Sequence, residues 1–162
     1  MKNEIERWWD AASEYYQEET RIPTDEAHYG PFAPSEKILK LLGGVKNKSI
    51  LELGCGGGQC SIAFAKKGAK ATGIDISSKQ LAFAKRLTSE NGARVNFVKG
   101  DAECLDMLKD SSFDIVFSAF ALMYIKNLRM NLSLRQTSCF SACRIYSMNL
   151  CRLARTIQRM LR

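Results

Sequence analysis

Apolar and polar positions recur along this chain in two periods, one helical and one of short runs broken by turns. Residues 4–19, "EIERWWDAASEYYQEE", place Ile5, Trp8, Trp9, Ala12, Tyr15 and Tyr16 near a spacing of three to four, with acids on the other face. That pattern predicts an amphipathic helix. "RIPTDEAHYGPFAPSEK" then holds all three prolines and Gly30, and predicts a loop. Ser35 is placed to cap a helix over "EKILKLLGG", which Gly43 and Gly44 would end.

From residue 49 the two periods alternate. "SILEL" predicts a short buried strand, and "CSIAFAKKG" a helix ended by Gly68. "KATGID" predicts a second strand, then "SSKQLAFAKRLTSENG" a helix capped by Ser77 or Ser78 with Gly92 past its end. "RVNFVKG" predicts a third strand, "DAECLDML" a short helical segment and "FDIVFSAF" a fourth strand. Strands alternating with helices predict an α/β fold, a parallel sheet with helices on both faces. Right-handed crossovers then bring the loop after every strand to one edge, where ligands of open sheets bind.

The chain has 162 residues, enough for one domain. No apolar run approaches the roughly 18 residues that predict a membrane span. The N-terminus carries acids where a signal peptide would be apolar, so the expected location is cytoplasmic. The net charge of +7 suggests nucleic acid at first sight, but residues 1–128 hold 17 basic and 17 acidic residues and are neutral overall. The excess lies in residues 129–162, with seven arginines and no Lys, Asp or Glu. A nucleic-acid partner is therefore disfavoured for the main body of the chain. The tail has no Gly, Pro or Val, which predicts no further strand, and Leu150, Leu153, Ile157 and Leu161 suggest a helix within it.

Six cysteines stand without paired spacing, which predicts reduced thiols. Cys139, Cys143 and Cys151 lack the close pairs and the histidine of a zinc site, so no metal is expected. Cys55 and Cys60 read as small packing residues. His28 reads as a solvated or covering residue of the loop rather than a base.

"LELGCGGGQ" carries the chemistry. Its glycines, Gly54, Gly56, Gly57 and Gly58, miss the one–three–six spacing of a dinucleotide loop, and no Gly-Lys-Ser/Thr follows for a Walker-type phosphate loop. An acid two residues before the first glycine, Glu52, suits a cationic ligand better than a phosphate. Asp75 ends the second strand, where a carboxylate can accept from both ribose hydroxyls. Asp101 ends the third, where it could accept from an adenine amino group. Asp75 and Asp101 each have a plainer reading as turn residues beside Gly73 and Gly100, and Glu52 as a strand-end acid.

Together "ILELGCGGG", "ATGIDIS", "VKGDAE" and "FDIVFSAFALMYIKNL" resemble the first four motifs of the class I S-adenosylmethionine-dependent methyltransferases. The similarity is to the small-molecule group that includes ubiquinone and menaquinone methyltransferases. It implies a Rossmann-like domain over residues 35–128, preceded by an N-terminal helix and lid loop over residues 1–34. It also implies S-adenosylmethionine as cofactor and a small-molecule methyl acceptor as partner.

By position, the resemblance puts Glu52, Gly54, Cys55 and Gly56 around the methionine portion and Asp75 on the ribose. Ile76 would pack on the adenine face, and Asp101 and Ala102 would face its edge. Ser118 and Ala119 would lie beneath the transferred methyl, and Tyr15, Tyr16 and Tyr29 become lid candidates. No general base is implied.

After residue 128 the sequence leaves the family pattern. The fifth to seventh strands are expected to be missing, as in a chain truncated or frame-shifted there, with an unpaired edge on the fourth strand. Residues 129–162 would then be an atypical arginine-rich tail, helical or disordered. Two other readings stand beside the enzyme: an inactive S-adenosylmethionine-binding fragment, and an NAD-type fragment, which the glycine spacing argues against.

Overall fold

The computed structural model describes residues 2–30, 33–105, 108, 113–124 and 144–148, with Lys2, Asn3, Met123 and 144–148 described by backbone alone. Five strands form one parallel sheet: β1 (Ser49–Leu53), β2 (Lys70–Asp75), β3 (Val95–Lys99), β4 (Ile115–Ala119) and β5 (Arg144–Met148). Their order is β3-β2-β1-β4-β5, so the direction of winding reverses between β1 and β4. That reversal parts the loops after β1 and β4 and opens a crevice at the strand ends.

Alternation along the strands sorts the core onto two faces. Ile50, Ile115 and Phe117 pack with Cys60, Phe64 and Leu42 on one side. Leu51, Leu53, Ile74 and Val116 pack with Leu105, Leu108 and Phe113 on the other. A period of two on β1 and β4 thus feeds both layers of a central sheet.

The helices are α1 (Lys2–Thr20), α2 (Glu36–Leu39), α3 (Gln59–Lys66) and α4 (Ser78–Glu90). Ser77 caps α4, its hydroxyl accepting from Gln80 N at 3.1 Å. Asp10 of α1 reinforces that end, accepting from Ser77 Oγ at 2.6 Å and Lys79 N at 3.1 Å.

Several expectations are corrected. The helix over "EKILKLLGG" has one turn, because Lys40 adopts a left-handed conformation (φ 49°) and Ser35 makes no side-chain cap. The Glu36 carboxylate instead accepts from Leu41 N at 3.1 Å and Leu42 N at 2.7 Å, drawing the backbone out of the helix. The described start of "DAECLDML", residues 101–105, is a turn closed by Cys104 N on Asp101 O at 2.9 Å, not a helix.

The expected unpaired edge of β4 is also corrected. β5, drawn from the arginine-rich tail, pairs β4 in parallel from Ile115↔Arg144 to Ala119↔Met148. No sixth or seventh strand occurs among the described residues. The helix suggested by Leu150, Leu153, Ile157 and Leu161 lies outside them.

Candidate functional site

A cleft of about 600 Å³ lies over the C-terminal ends of β1, β2 and β4, with α1 as its far wall. Its size is that of a small-molecule site. Glu52, Gly54, Cys55, Gly56, Asp75, Ile76, Asp101, Ala102, Ala119 and Tyr16 all line it.

The glycine loop is shaped by two close approaches. A Cβ on Gly54, where φ is 65°, would overlap Ala121 after β4. One on Gly58, where φ is 76°, would sit 2.7 Å from Phe97 Cζ and 3.0 Å from Ala84 Cβ. Both positions need the left-handed region and the missing side chain together. The loop is held from outside by Asp75, whose Oδ2 accepts from Gly56 N at 2.7 Å while Oδ1 accepts from Ser77 N at 2.8 Å. The turn-forming and cleft-lining readings of Asp75 therefore describe one side chain. Burial pushes its carboxyl above the ordinary range, opposed by those backbone N–H groups.

Glu52 is 2 % exposed. It accepts from Ser61 Oγ at 2.5 Å, and burial pushes its carboxyl up to about 8 against that hydrogen bond, with the nearby Asp75 charge adding to the rise. Four carboxylates line the cleft, Glu52, Asp75, Asp101 and Glu103, and among the described residues no Lys or Arg does. Such a lining favours a positively charged ligand and disfavours a phosphate.

Helix α1 meets the site through polar as well as aromatic residues. Gln59 Nε2 donates to Gln17 Oε1 at 2.5 Å, and Gln17 Nε2 donates to Gln80 Oε1 at 2.7 Å. This relay ties α1 to the first turns of α3 and α4 beside Gly57. Gln80 Nε2 ends the relay, buried without a partner among the described residues. At the mouth Trp9 packs edge-on against Trp8, Tyr16 and Tyr124, with ring centroids 4.9, 5.4 and 6.0 Å away.

Three predicted site residues fall elsewhere. Tyr29 is 1 % exposed, packs on Phe117 and donates its hydroxyl to Glu36 Oε2 at 2.6 Å, so it is core and not cover. Tyr15 is 70 % exposed, because its neighbour Tyr16 takes the inward side of α1. Ser118 is buried and donates to Leu53 O at 3.0 Å, bracing β4 against β1 below the cleft. Cys55 and Cys60 are buried free thiols.

Trp9, Gln80, Phe120 and Tyr124 also line the cleft, and Gln17 joins them through Gln80, without a sequence pattern that marks them. Phe120 adopts φ 71° at the corner after β4, a conformation with no sequence mark on a phenylalanine. Gln17 stands one position from Tyr16 on the same helix, and its polarity placed it on the solvent face by pattern.

Residues 50–138, more than half of the chain, match the family described as "Methyltransferase domain". The "Ubiquinone biosynthesis O-methyltransferase" of Nitrosospira multiformis is 34% identical over 110 residues, covering 68% of this chain and 42% of that protein. Its counterpart from Pseudoalteromonas translucida is 36% identical over 111 residues, covering 68% and 43%. The chain thus spans less than half the length of these curated relatives. An S-adenosylmethionine dependent methyltransferase structure from Mesorhizobium loti aligns with a TM-score of 0.51 at 29% identity, covering 58% of this chain and 43% of that one. With its strand order, its glycine loop and this family match in agreement, the chain belongs to the methyltransferase domain family, on the class I S-adenosylmethionine-dependent fold.

Proposed function

We propose that the cleft binds S-adenosylmethionine, and that the chain serves methyl transfer to a small, non-anionic acceptor, with a hydroxyl oxygen the favoured target. The observation that carries the reading is Glu52, a buried carboxyl raised to about 8 in a cleft lined by no Lys or Arg among the described residues. A buried acid in that state is stabilised by a cation brought to it. The hydroxyl acceptor is supported by the relatives' name, O-methyltransferase.

When bound, the cofactor supplies a sulfonium methyl for in-line displacement, a reaction in which positioning provides much of the rate. Glu52 would take the amino group of its amino-acid portion. Gly54, Cys55 and Gly56 would let backbone approach that portion closely. Asp75, already fixed by Gly56 N and Ser77 N, would accept from the ribose hydroxyls. Ile76 would cover one adenine face, and Asp101 and Ala102 would meet its edge. Ala119 would lie near the transferred methyl, with Ser118 holding the strand end from beneath. Trp9, Tyr16 and Tyr124 would exclude water from the acceptor side.

Calorimetric titration with S-adenosylmethionine tests the reading. Binding by the wild-type chain and a loss of about tenfold or more in Asp75→Asn are expected, the worth of hydrogen bonds to a charged group. A folded chain that ignores S-adenosylmethionine, or prefers NAD, overturns it.

A further inference from the structure

His28 is the only histidine in the chain, and the fold grips it firmly. Its backbone N–H lies 3.4 Å from Cys60 Sγ, and its carbonyl lies 3.5 Å from the same thiol. It forms an isolated antiparallel bridge with Ser35, and its neighbours Ala27 and Tyr29 are both buried in the core. The loop that carries it is therefore built into the domain.

The ring has a defined tautomer. Nδ1 accepts from Gly30 N at 3.2 Å. A neutral imidazole with its lone pair used at Nδ1 carries its proton on Nε2. Burial disfavours the charged ring, lowering its affinity for a second proton. Among the described residues no hydrogen bond occupies Nε2, and His28 lines the cleft. The ring of this cleft-lining residue thus carries an N–H donor and no free lone pair, which suits holding an acceptor atom and not removing a proton.

The surroundings bear on which acceptor atom that is. Cys60, which holds the His28 backbone, is followed on α3 by Ser61, which holds the Glu52 carboxylate. Cys60 thus contacts the His28 backbone and lies within reach of the Glu52 charge, and His28 and Glu52 both line the cleft. A ligand ammonium is met there by Glu52. Among the described residues that line the cleft, the donors open to a ligand carboxylate are neutral.

We infer that His28 is a binding residue, its Nε2–H donating to the α-carboxylate of the cofactor's amino-acid portion while Glu52 takes the ammonium. The assignment rests on the S-adenosylmethionine reading above.

The test compares S-adenosylhomocysteine, which carries the amino-acid group, with 5′-methylthioadenosine, which lacks it. In calorimetry, His28→Asn keeps an oxygen for Gly30 N but loses the distal donor. It is expected to weaken S-adenosylhomocysteine by about tenfold, the worth of one hydrogen bond to a charged group, and to leave 5′-methylthioadenosine unchanged. His28→Gln, which keeps a distal amide donor, is expected to restore most of the difference. A parallel measurement needs no variant: ¹⁵N-histidine spectra of the wild-type chain contain a single ring, whose Nε2–H signal should shift with S-adenosylhomocysteine and not with 5′-methylthioadenosine. An unchanged ratio of the two affinities in His28→Asn, or an Nε2 signal that responds equally to both ligands, overturns the assignment and leaves cofactor binding intact. A wild-type chain that binds neither ligand overturns both.

Discussion

The Ser61 hydroxyl donates to the Glu52 carboxylate across 2.5 Å, at the floor of a cleft lined by no Lys or Arg among the described residues. Two neutral donors, the hydroxyl and the backbone N–H of Ser61, only partly offset the cost of burying an acid. Glu52 is therefore held closer to its protonated form than a carboxylate at the surface.

The pH dependence of folding follows from that state. Burial pushes the folded Glu52 carboxyl up to about 8, from an ordinary value of 4.5. Between those values the folded chain retains a proton that the unfolded chain has released. Stability therefore falls as pH rises through the window and levels off above about 8. His28 acts oppositely at its lower end, since its folded value lies below 6.5 and its contribution grows as pH climbs towards that figure. Urea midpoints from pH 5 to 9 should show less decline in Glu52→Gln than in the wild type. Equal slopes would remove Glu52 from the account.

Gly58 should not accept a side chain. Alanine there must adopt φ 76° and place its Cβ 2.7 Å from Phe97 Cζ and 3.0 Å from Ala84 Cβ. The left-handed conformation costs about 1–2 kcal/mol and the overlap a similar amount again. Gly58→Ala is expected to lower the thermal midpoint by several degrees and to weaken cofactor binding. A midpoint within one degree of wild type would mean that the loop is looser than its contacts indicate.

Gln17→Leu removes the centre of the amide relay and leaves Gln59 Nε2 and Gln80 Oε1 without their partner. Stranding buried polar groups costs about 1–3 kcal/mol. Hydrogen exchange should quicken in α1 and in the first turns of α3 and α4, while β1 and β2 stay protected. Uniform quickening across the sheet would contradict a local role.

Tyr29→Phe separates core from cover. It deletes the hydroxyl that donates to Glu36 and keeps the ring on Phe117. A loss of about 1 kcal/mol in stability with unchanged affinity for S-adenosylhomocysteine is expected. A change in affinity at unchanged stability would return Tyr29 to the lid.

Strands β1 to β4, and the acids at the ends of the first three, were legible because short apolar runs and glycine breaks are local signals. Tyr29 and Gln17 were not. An aromatic residue in a proline-rich loop reads as cover, yet Glu36 seven residues on supplies its hydroxyl with a half-buried partner. A glutamine on a helix reads as solvent-facing, yet two other glutamines, 42 and 63 residues away, complete its bonds. The Lys40 reversal likewise depends on a captured Glu36 carboxylate, and β5 on backbone pairing with β4, which a segment without valine does not advertise.

The measurement that bears most directly on the central claim is the proton balance of cofactor binding. Calorimetric titration with S-adenosylmethionine at pH 7, in two buffers of different ionisation enthalpy, counts the protons released. A cation docking against Glu52 should expel its proton, giving a release approaching one per site in the wild type and near zero in Glu52→Gln. Binding with no proton released, or equal release from both proteins, would contradict the assignment of Glu52 to the cofactor's charged amino group.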